Sequence, residues 1–130
     1  MIVVDASALV DVLLQAPGTE ALERRLYEQG QTLHAPHLLD IEVAHALRRH
    51  AANGTMDGER GLAALSDFSD FPLRRYPHTV FLPRIWELRN NLTAYDAAYV
   101  ALAETLDAPL LTRDRRLAAA AGHYARVELV

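Results

Sequence analysis

At 130 residues, 51% apolar and 23% charged, the chain has the size and composition to fold as one globular domain over 1–130 without a disulfide or structural metal. It has no cysteine, and its 13 basic residues are all arginine, which excludes thiol catalysis, Schiff bases and lysine-dependent phosphate binding. The net charge of −4 argues at first against a nucleic-acid partner. If four of the acids are engaged by metal, however, the rest balance the arginines, and arginine is the better bidentate phosphate ligand.

Ile2 to Val4 is β-branched without alternation, the pattern of a strand buried on both faces of a parallel sheet. Ser7 to Gln15 follows as a short helix, stopped by Pro17-Gly18. Thr19 is placed to cap a second helix, with Glu20 and Glu23 in its first turn, running to Gly30. Gln31 to Ala35 forms a weak strand. Pro36 then opens a helix to about Ala52, closed by Asn53-Gly54. Met56 to Phe68 is helical, with Leu62 and Leu65 on one face, and Leu73 to Tyr76 is a third strand.

Thr79 to Leu92 is helical, with Pro83 tolerated in the first turn. Thr93 caps the next helix, with Asp96 at the reciprocal position of a capping box. That helix, to about Leu106, is apolar nearly all round and therefore buried. Pro109 to Thr112 is a fourth strand, Arg113 to Ala121 a short helix, and Arg126 to Val130 a last strand closing the sheet. Such alternation predicts an α/β fold, a three-layer α/β/α sandwich on a mostly parallel sheet. The amino terminus lacks the features of a signal peptide. The longest apolar run, Ala97 to Ala103, is far below the ~20 residues of a membrane span. A cytoplasmic protein with no membrane contact is the expectation.

Four acids stand out. Asp5 and Asp114 follow strands at their carboxyl ends, where open α/β sheets place their sites. Glu42 lies mid-helix beside the apolar face marked by Val43 and Leu47. Asp40 is about 200° from it around the helix and cannot share its site. Asp96 lies in the first turn of the most apolar helix, where the helix dipole favours an anion. Each has a plain alternative, since Asp5, Asp96 and Asp114 can cap helices and Glu42 can be a solvated residue. Two strand-end acids and two on adjoining helices can nevertheless converge on one crevice. At ~5 Å and an effective dielectric of ~20, each pair of carboxylates repels by ~3 kcal/mol. Such a site takes up protons or hard cations, and all-oxygen ligands select Mg²⁺ or Mn²⁺.

The segments around these acids, Val3 to Leu9, Glu42 to Arg49, Leu92 to Glu104 and Pro109 to Leu117, resemble a PIN-domain ribonuclease of the VapC type, the toxin of a toxin–antitoxin pair. The resemblance spans nearly the whole chain, and Leu92 to Leu117 is its most specific part. It implies that Asp5, Glu42, Asp96 and Asp114 bind a catalytic Mg²⁺ or Mn²⁺ that cleaves RNA, with Ser7 and Thr112 as supporting hydroxyls. It also implies a homodimer and a VapB-like antitoxin that covers the site and builds a higher assembly. Some relatives carry a further acid two residues after the position of Asp114. Here it is Arg116, so a four-acid site is expected.

Arg49, two helical turns beyond Glu42, and Arg113, Arg115 and Arg116 around Asp114 are candidates for gripping RNA phosphates; pairing with acids is the alternative for each. Tyr95 and Tyr99 flank Asp96, where core packing is the plainer role and base stacking the other. Glu42 and His45 form an E-x-x-H pattern, but di-iron bundles need two copies. An aspartyl phosphatase with Asp5 as nucleophile fails for want of an acid at Ser7, and a D-x-S-x-S adhesion motif fails at Leu9. A PIN nuclease working in RNA processing without an antitoxin is the remaining alternative.

Overall fold

The computed structural model describes residues 1–130. The elements run β1 (Ile2–Val4), α1 (Ala6–Leu13), α2 (Glu20–Leu26), β2 (Leu33–Pro36), α3 (Leu38–Ala52), α4 (Gly58–Ser69) and β3 (Leu73–Tyr76). A 3-10 turn (Thr79–Phe81) leads into α5 (Leu82–Glu87), followed by α6 (Ala94–Leu106), β4 (Leu110–Thr112), α7 (Arg115–Ala119) and β5 (Val127–Leu129). The five strands form one sheet in the order β3-β2-β1-β4-β5. Every pairing is parallel, so the sheet is wholly rather than mostly parallel.

β1 is the centre of the sheet, and Ile2, Val3 and Val4 are all buried, as their unalternating β-branched run requires. Val3 faces His34 on one side and Leu110 on the other. The chain builds outward from β1 through β2 to β3, then returns to the opposite side for β4 and β5. The reversal lies between β1 and β4, and a crevice opens there beyond the strands' carboxyl ends. Helices cover both faces of the sheet in a three-layer sandwich. α6 is buried continuously from Ala97 to Ala103. Its alanines let it lie close on the sheet, and Leu102, fully buried, contributes about 2 kcal/mol of apolar burial.

Several boundaries differ from expectation for physical reasons. Pro36 ends β2, paired with Tyr76, instead of opening α3. β1 pairs only as far as His34 on that side, so the missing proline N–H interrupts no ladder. The first turn of α3 is served by an imidazole: the Leu38 N–H donates to His78 Nε2 at 2.9 Å. Thr19 does not cap α2 through its hydroxyl, which donates to the Ala16 carbonyl or to Glu23 Oε1, both at 3.0 Å. α2 ends at Leu26. α4 buries Gly61, Ala64 and Phe68, with Leu65 half-buried, while Leu62 is exposed.

The predicted helix over Thr79 to Leu92 is a 3-10 turn and one short α-helix. The chain leaves the helix after Glu87 because Leu88 and Leu92 both turn into the core and Asn90-Asn91 between them disfavours a helix. α7 is shorter than expected because Asp114 is its N-cap rather than part of it. No helix is long and apolar enough to cross a membrane.

Candidate active site

The crevice at the sheet's reversal is a cleft of about 860 Å³, and Asp5, Glu42, Asp96 and Asp114 all line it. Each comes from a different element. Asp5 leaves β1 and caps α1, accepting the Ala8 N–H at 3.0 Å. Asp114 leaves β4 and caps α7, accepting the Arg116 N–H at 2.8 Å. Asp96 sits in the first turn of α6, where Thr93 caps the helix by accepting the Asp96 N–H at 3.1 Å. Glu42 projects from α3. Capping and lining the cleft are therefore compatible for Asp5 and Asp114, whereas at α6 Thr93 does the capping and Asp96 makes no reciprocal capping-box bond.

Asp5 is buried and its carboxylate is held from both sides. Ser7 Oγ donates to Oδ1 at 2.7 Å, and Thr112 Oγ1 donates to Oδ2 at 2.5 Å. Each hydroxyl is itself oriented by the segment leaving β4: the Arg113 N–H donates to Ser7 Oγ at 3.0 Å and the Asp114 N–H to Thr112 Oγ1 at 2.9 Å. Two relays thus run from that backbone through a hydroxyl to one carboxylate. Oδ1 accepts two hydrogen bonds and Oδ2 one, so the free acceptor direction belongs to Oδ2.

Burial pushes the Asp5 carboxyl above the usual carboxylate range; the Thr112, Ala8 and Ser7 hydrogen bonds oppose this and the charge of Asp96 adds to it. Glu42 is also raised, by burial first, against the Tyr99 hydrogen bond, with Asp96 and Asp5 adding repulsion. Asp96 is raised by burial and then by Asp114, with Thr93 and Arg116 opposing. None of Asp5, Glu42 and Asp96 forms a salt bridge, and Asp114 has only a 3.9 Å contact with the exposed Arg116 guanidinium. The cleft thus holds four acids without a close cationic side chain among them.

As placed, the side chains do not close around one point, and no three acidic or imidazole groups are grouped for a single ion. Asp5 is turned to its hydroxyls, Glu42 to Tyr99 and Asp114 to the α7 backbone. In kind, the donor set fits a hard divalent cation: four carboxylates, three of them raised in pKa, all oxygen and nearly unneutralised.

Tyr99, read from the chain as a core or base-stacking residue, has a contact to one of the four acids that the sequence does not anticipate. It is buried, and its hydroxyl donates to Glu42 Oε1 at 2.6 Å. Burial and the Glu42 charge raise its own pKa, so it stays a donor. Its position three residues after Asp96, on the same face of α6, was the available signal. Tyr95 is exposed. We expect Tyr99→Phe to raise the Glu42 pKa further, because the carboxylate loses a charge-assisted hydrogen bond. Titration of Glu42 by NMR checks this, and an unmoved midpoint would assign Tyr99 to packing alone.

The arginines separate. Arg113 Nε pairs with Asp11 at 2.6 Å, and its Nη1 donates to the Gly18 carbonyl at 3.1 Å. Arg49 lines the cleft without a salt-bridge partner, and Arg116 lines it with a side chain 93% exposed. His45 also lines it, whereas His34 is in the sheet, between Thr32 and Tyr76.

An all-parallel sheet in the order 3-2-1-4-5 with an acid-lined crevice at its reversal defines a class of α/β protein, and the PIN domain profile matches residues 2–123. The chain belongs to the PIN-domain family. Its relatives include Ribonuclease VapC12 of Mycobacterium tuberculosis, 45% identical over 130 residues, covering 100% of this chain and 99% of that one. Ribonuclease VapC1 of the same species is 47% identical over 132 residues, covering 98% and 96%. Among solved structures, VapBC2 from Rickettsia felis bound to a DNA fragment from its promoter superposes with a TM-score of 0.72 over 100% of this chain and 99% of that one, at 14% identity. That likeness is one of fold.

Proposed function

We propose that this protein is the toxin of a toxin–antitoxin pair, a Mg²⁺- or Mn²⁺-dependent endoribonuclease that folds as a single PIN domain over 1–130. The observation that carries the metal-dependent reading is the set of four carboxylates from four elements in one cleft, offset only by the exposed Arg116 guanidinium 3.9 Å from Asp114. Relatives named as VapC ribonucleases support the substrate class.

In this reading Asp5, Glu42, Asp96 and Asp114 hold the metal and are the catalytic acids. A bound divalent ion supplies activation of water and neutralisation of charge developing on the phosphate. The chain's own contribution is positioning. The Ser7 and Thr112 relays aim Asp5 and oppose the rise that burial imposes on its pKa, Tyr99 holds Glu42, and the amino terminus of α6 favours the anionic form of Asp96. Arg49 and Arg116, free of tight pairs, are placed to receive RNA phosphates, and Arg113 is a weaker candidate because Asp11 occupies it. A homodimer in the cytoplasm is part of the proposal. So is a VapB-like antitoxin that closes the cleft, and the VapBC2 complex supports such a partner.

The test is cleavage of total RNA by purified protein with and without divalent metal. Mg²⁺ or Mn²⁺ is expected to support cleavage, and excess EDTA to reduce it to background. Full activity in excess EDTA refutes the metal role. No cleavage of any RNA in either metal refutes the reaction.

A further inference from the structure

A second cleft, of about 640 Å³, adjoins the catalytic one, and Asp11 and His50 line both. The two depressions are therefore neighbours, and these residues form the neck between them. The far part lies between the end of α1, the end of α3 and the start of α4, where Leu14, Thr55, Met56 and Arg60 line it.

The chemistry of this far part suits a nucleic-acid strand. Arg60 has no salt bridge; its guanidinium donates one hydrogen bond, from Nη2 to the Leu13 carbonyl at 3.3 Å. That contact tethers the group at the groove wall and leaves its charge and remaining donors unused. Asp57, the other acid there, is the N-cap of α4 and accepts the Arg60 N–H at 2.7 Å, while Asp11 is neutralised by Arg113. Half-buried Leu14 and Met56 supply apolar surface against which a base can rest. At the neck, the Thr55 hydroxyl donates to the His50 carbonyl at 2.9 Å and stands 3.1 Å from His50 Nδ1. Its one hydrogen being used, the hydroxyl accepts from Nδ1–H.

We propose that the second cleft is a subsite for the RNA strand flanking the scissile phosphate, with Arg60 binding a backbone phosphate and His50 lining the neck through which the strand passes. This rests on the ribonuclease reading above and adds to it the course of the substrate. Arg49, on the cleft-lining side of α3, and Arg60 then mark successive points on one path.

The test measures binding of a mixed-sequence, fluorescein-labelled 20-nucleotide single-stranded RNA by anisotropy over a range of salt. An Asp96→Asn background prevents turnover. Arg60→Ala is expected to weaken binding about fivefold at low salt and to reduce the slope of log K against log salt by ~0.7, the value for one phosphate contact on a single strand. Arg60→Lys is expected to restore most of that slope. Arg89→Ala, which removes a guanidinium without a salt bridge that stacks on the exposed Trp86 and donates to its carbonyl, outside both clefts, is expected to leave it unchanged. A wild-type slope in Arg60→Ala, or an equal loss in Arg89→Ala, overturns the subsite. Circular dichroism confirms that each variant is folded. Wild-type cleavage of total RNA in Mg²⁺ is measured alongside: no cleavage removes the ribonuclease reading and this inference together, whereas cleavage with an unaltered Arg60→Ala slope removes this inference alone.

Discussion

Asp96→Asn is expected to reduce metal-dependent RNA cleavage by ~10³-fold or more while making the metal-free protein more stable at neutral pH. Both effects have one cause. Asp96 is raised in pKa by burial and by Asp114, and its charge in turn raises Asp5 and Glu42. When the folded pKa of an acid exceeds its unfolded value, the folded chain holds more protons between the two. Stability then falls as pH rises through that window, and the full penalty is present above the folded pKa. At pH 7 wild type carries this penalty and the neutral asparagine does not. Loss of the anion at the α6 amino terminus opposes the gain by a few tenths of a kcal/mol. Relief of the burial penalty on the charge, and then of repulsion with the neighbouring carboxylates, is the larger effect, leaving a net gain on the order of 1 kcal/mol, about 4 °C in Tm for a chain of this size.

Thermal unfolding in EDTA at pH 7 and at pH 4 checks the sign. The variant should melt higher at pH 7, and the difference should shrink near pH 4, where the unfolded carboxyl takes up its proton. Millimolar Mg²⁺ should then raise wild type and leave the variant nearly unmoved, by ligand linkage. A variant less stable than wild type without metal at pH 7 would show that the acids are not held in mutual repulsion. Wild-type cleavage by the variant would remove Asp96 from the site.

Three of the acids stand beside a local signal that is weak alone, Glu42 has none, and it is the resemblance around all four that singles them out as a set. Asp5 and Asp114 follow short β-branched or apolar strands, and Asp96 follows a capping threonine at the start of a helix with almost no polar face. The same local logic located β1, whereas the strand order and the reversal beside it appear only in the fold. What that logic missed depends on long-range packing. Tyr99 reaches Glu42 across 57 residues of sequence; its place on the Asp96 face of α6 points it at the cleft but does not name its partner. Arg113 looked like its neighbours Arg115 and Arg116 until the fold brought Asp11 within 2.6 Å. Pro36 read as a helix start because the position at which β1 stops pairing is a property of the sheet. Thr19 has the composition of a cap and a hydroxyl used elsewhere.

The double change Ser7→Ala with Thr112→Val is expected to weaken Mg²⁺ affinity by ~10- to 100-fold and to move the acid limb of the pH–rate profile upward. The two hydroxyls supply two of the three hydrogen bonds that oppose the burial of Asp5. Without them its pKa climbs further. Metal competes with the proton for this carboxylate, so a higher pH is needed to reach the same occupancy. The variant also strands the Arg113 and Asp114 N–H groups that now donate to these hydroxyls, at about 1–3 kcal/mol each where water cannot replace the lost partner. Because both relays end on one carboxylate, the single variants should not sum to the double. Thr112→Ser keeps the hydroxyl and should stay near wild type in metal midpoint, which separates the role of the oxygen from that of the β-branch in β4. Cleavage rates titrated with Mg²⁺ from pH 6 to 9 distinguish the cases. A double variant with lower stability but an unmoved metal midpoint and acid limb would make the relays struts of the fold, with no part in tuning Asp5.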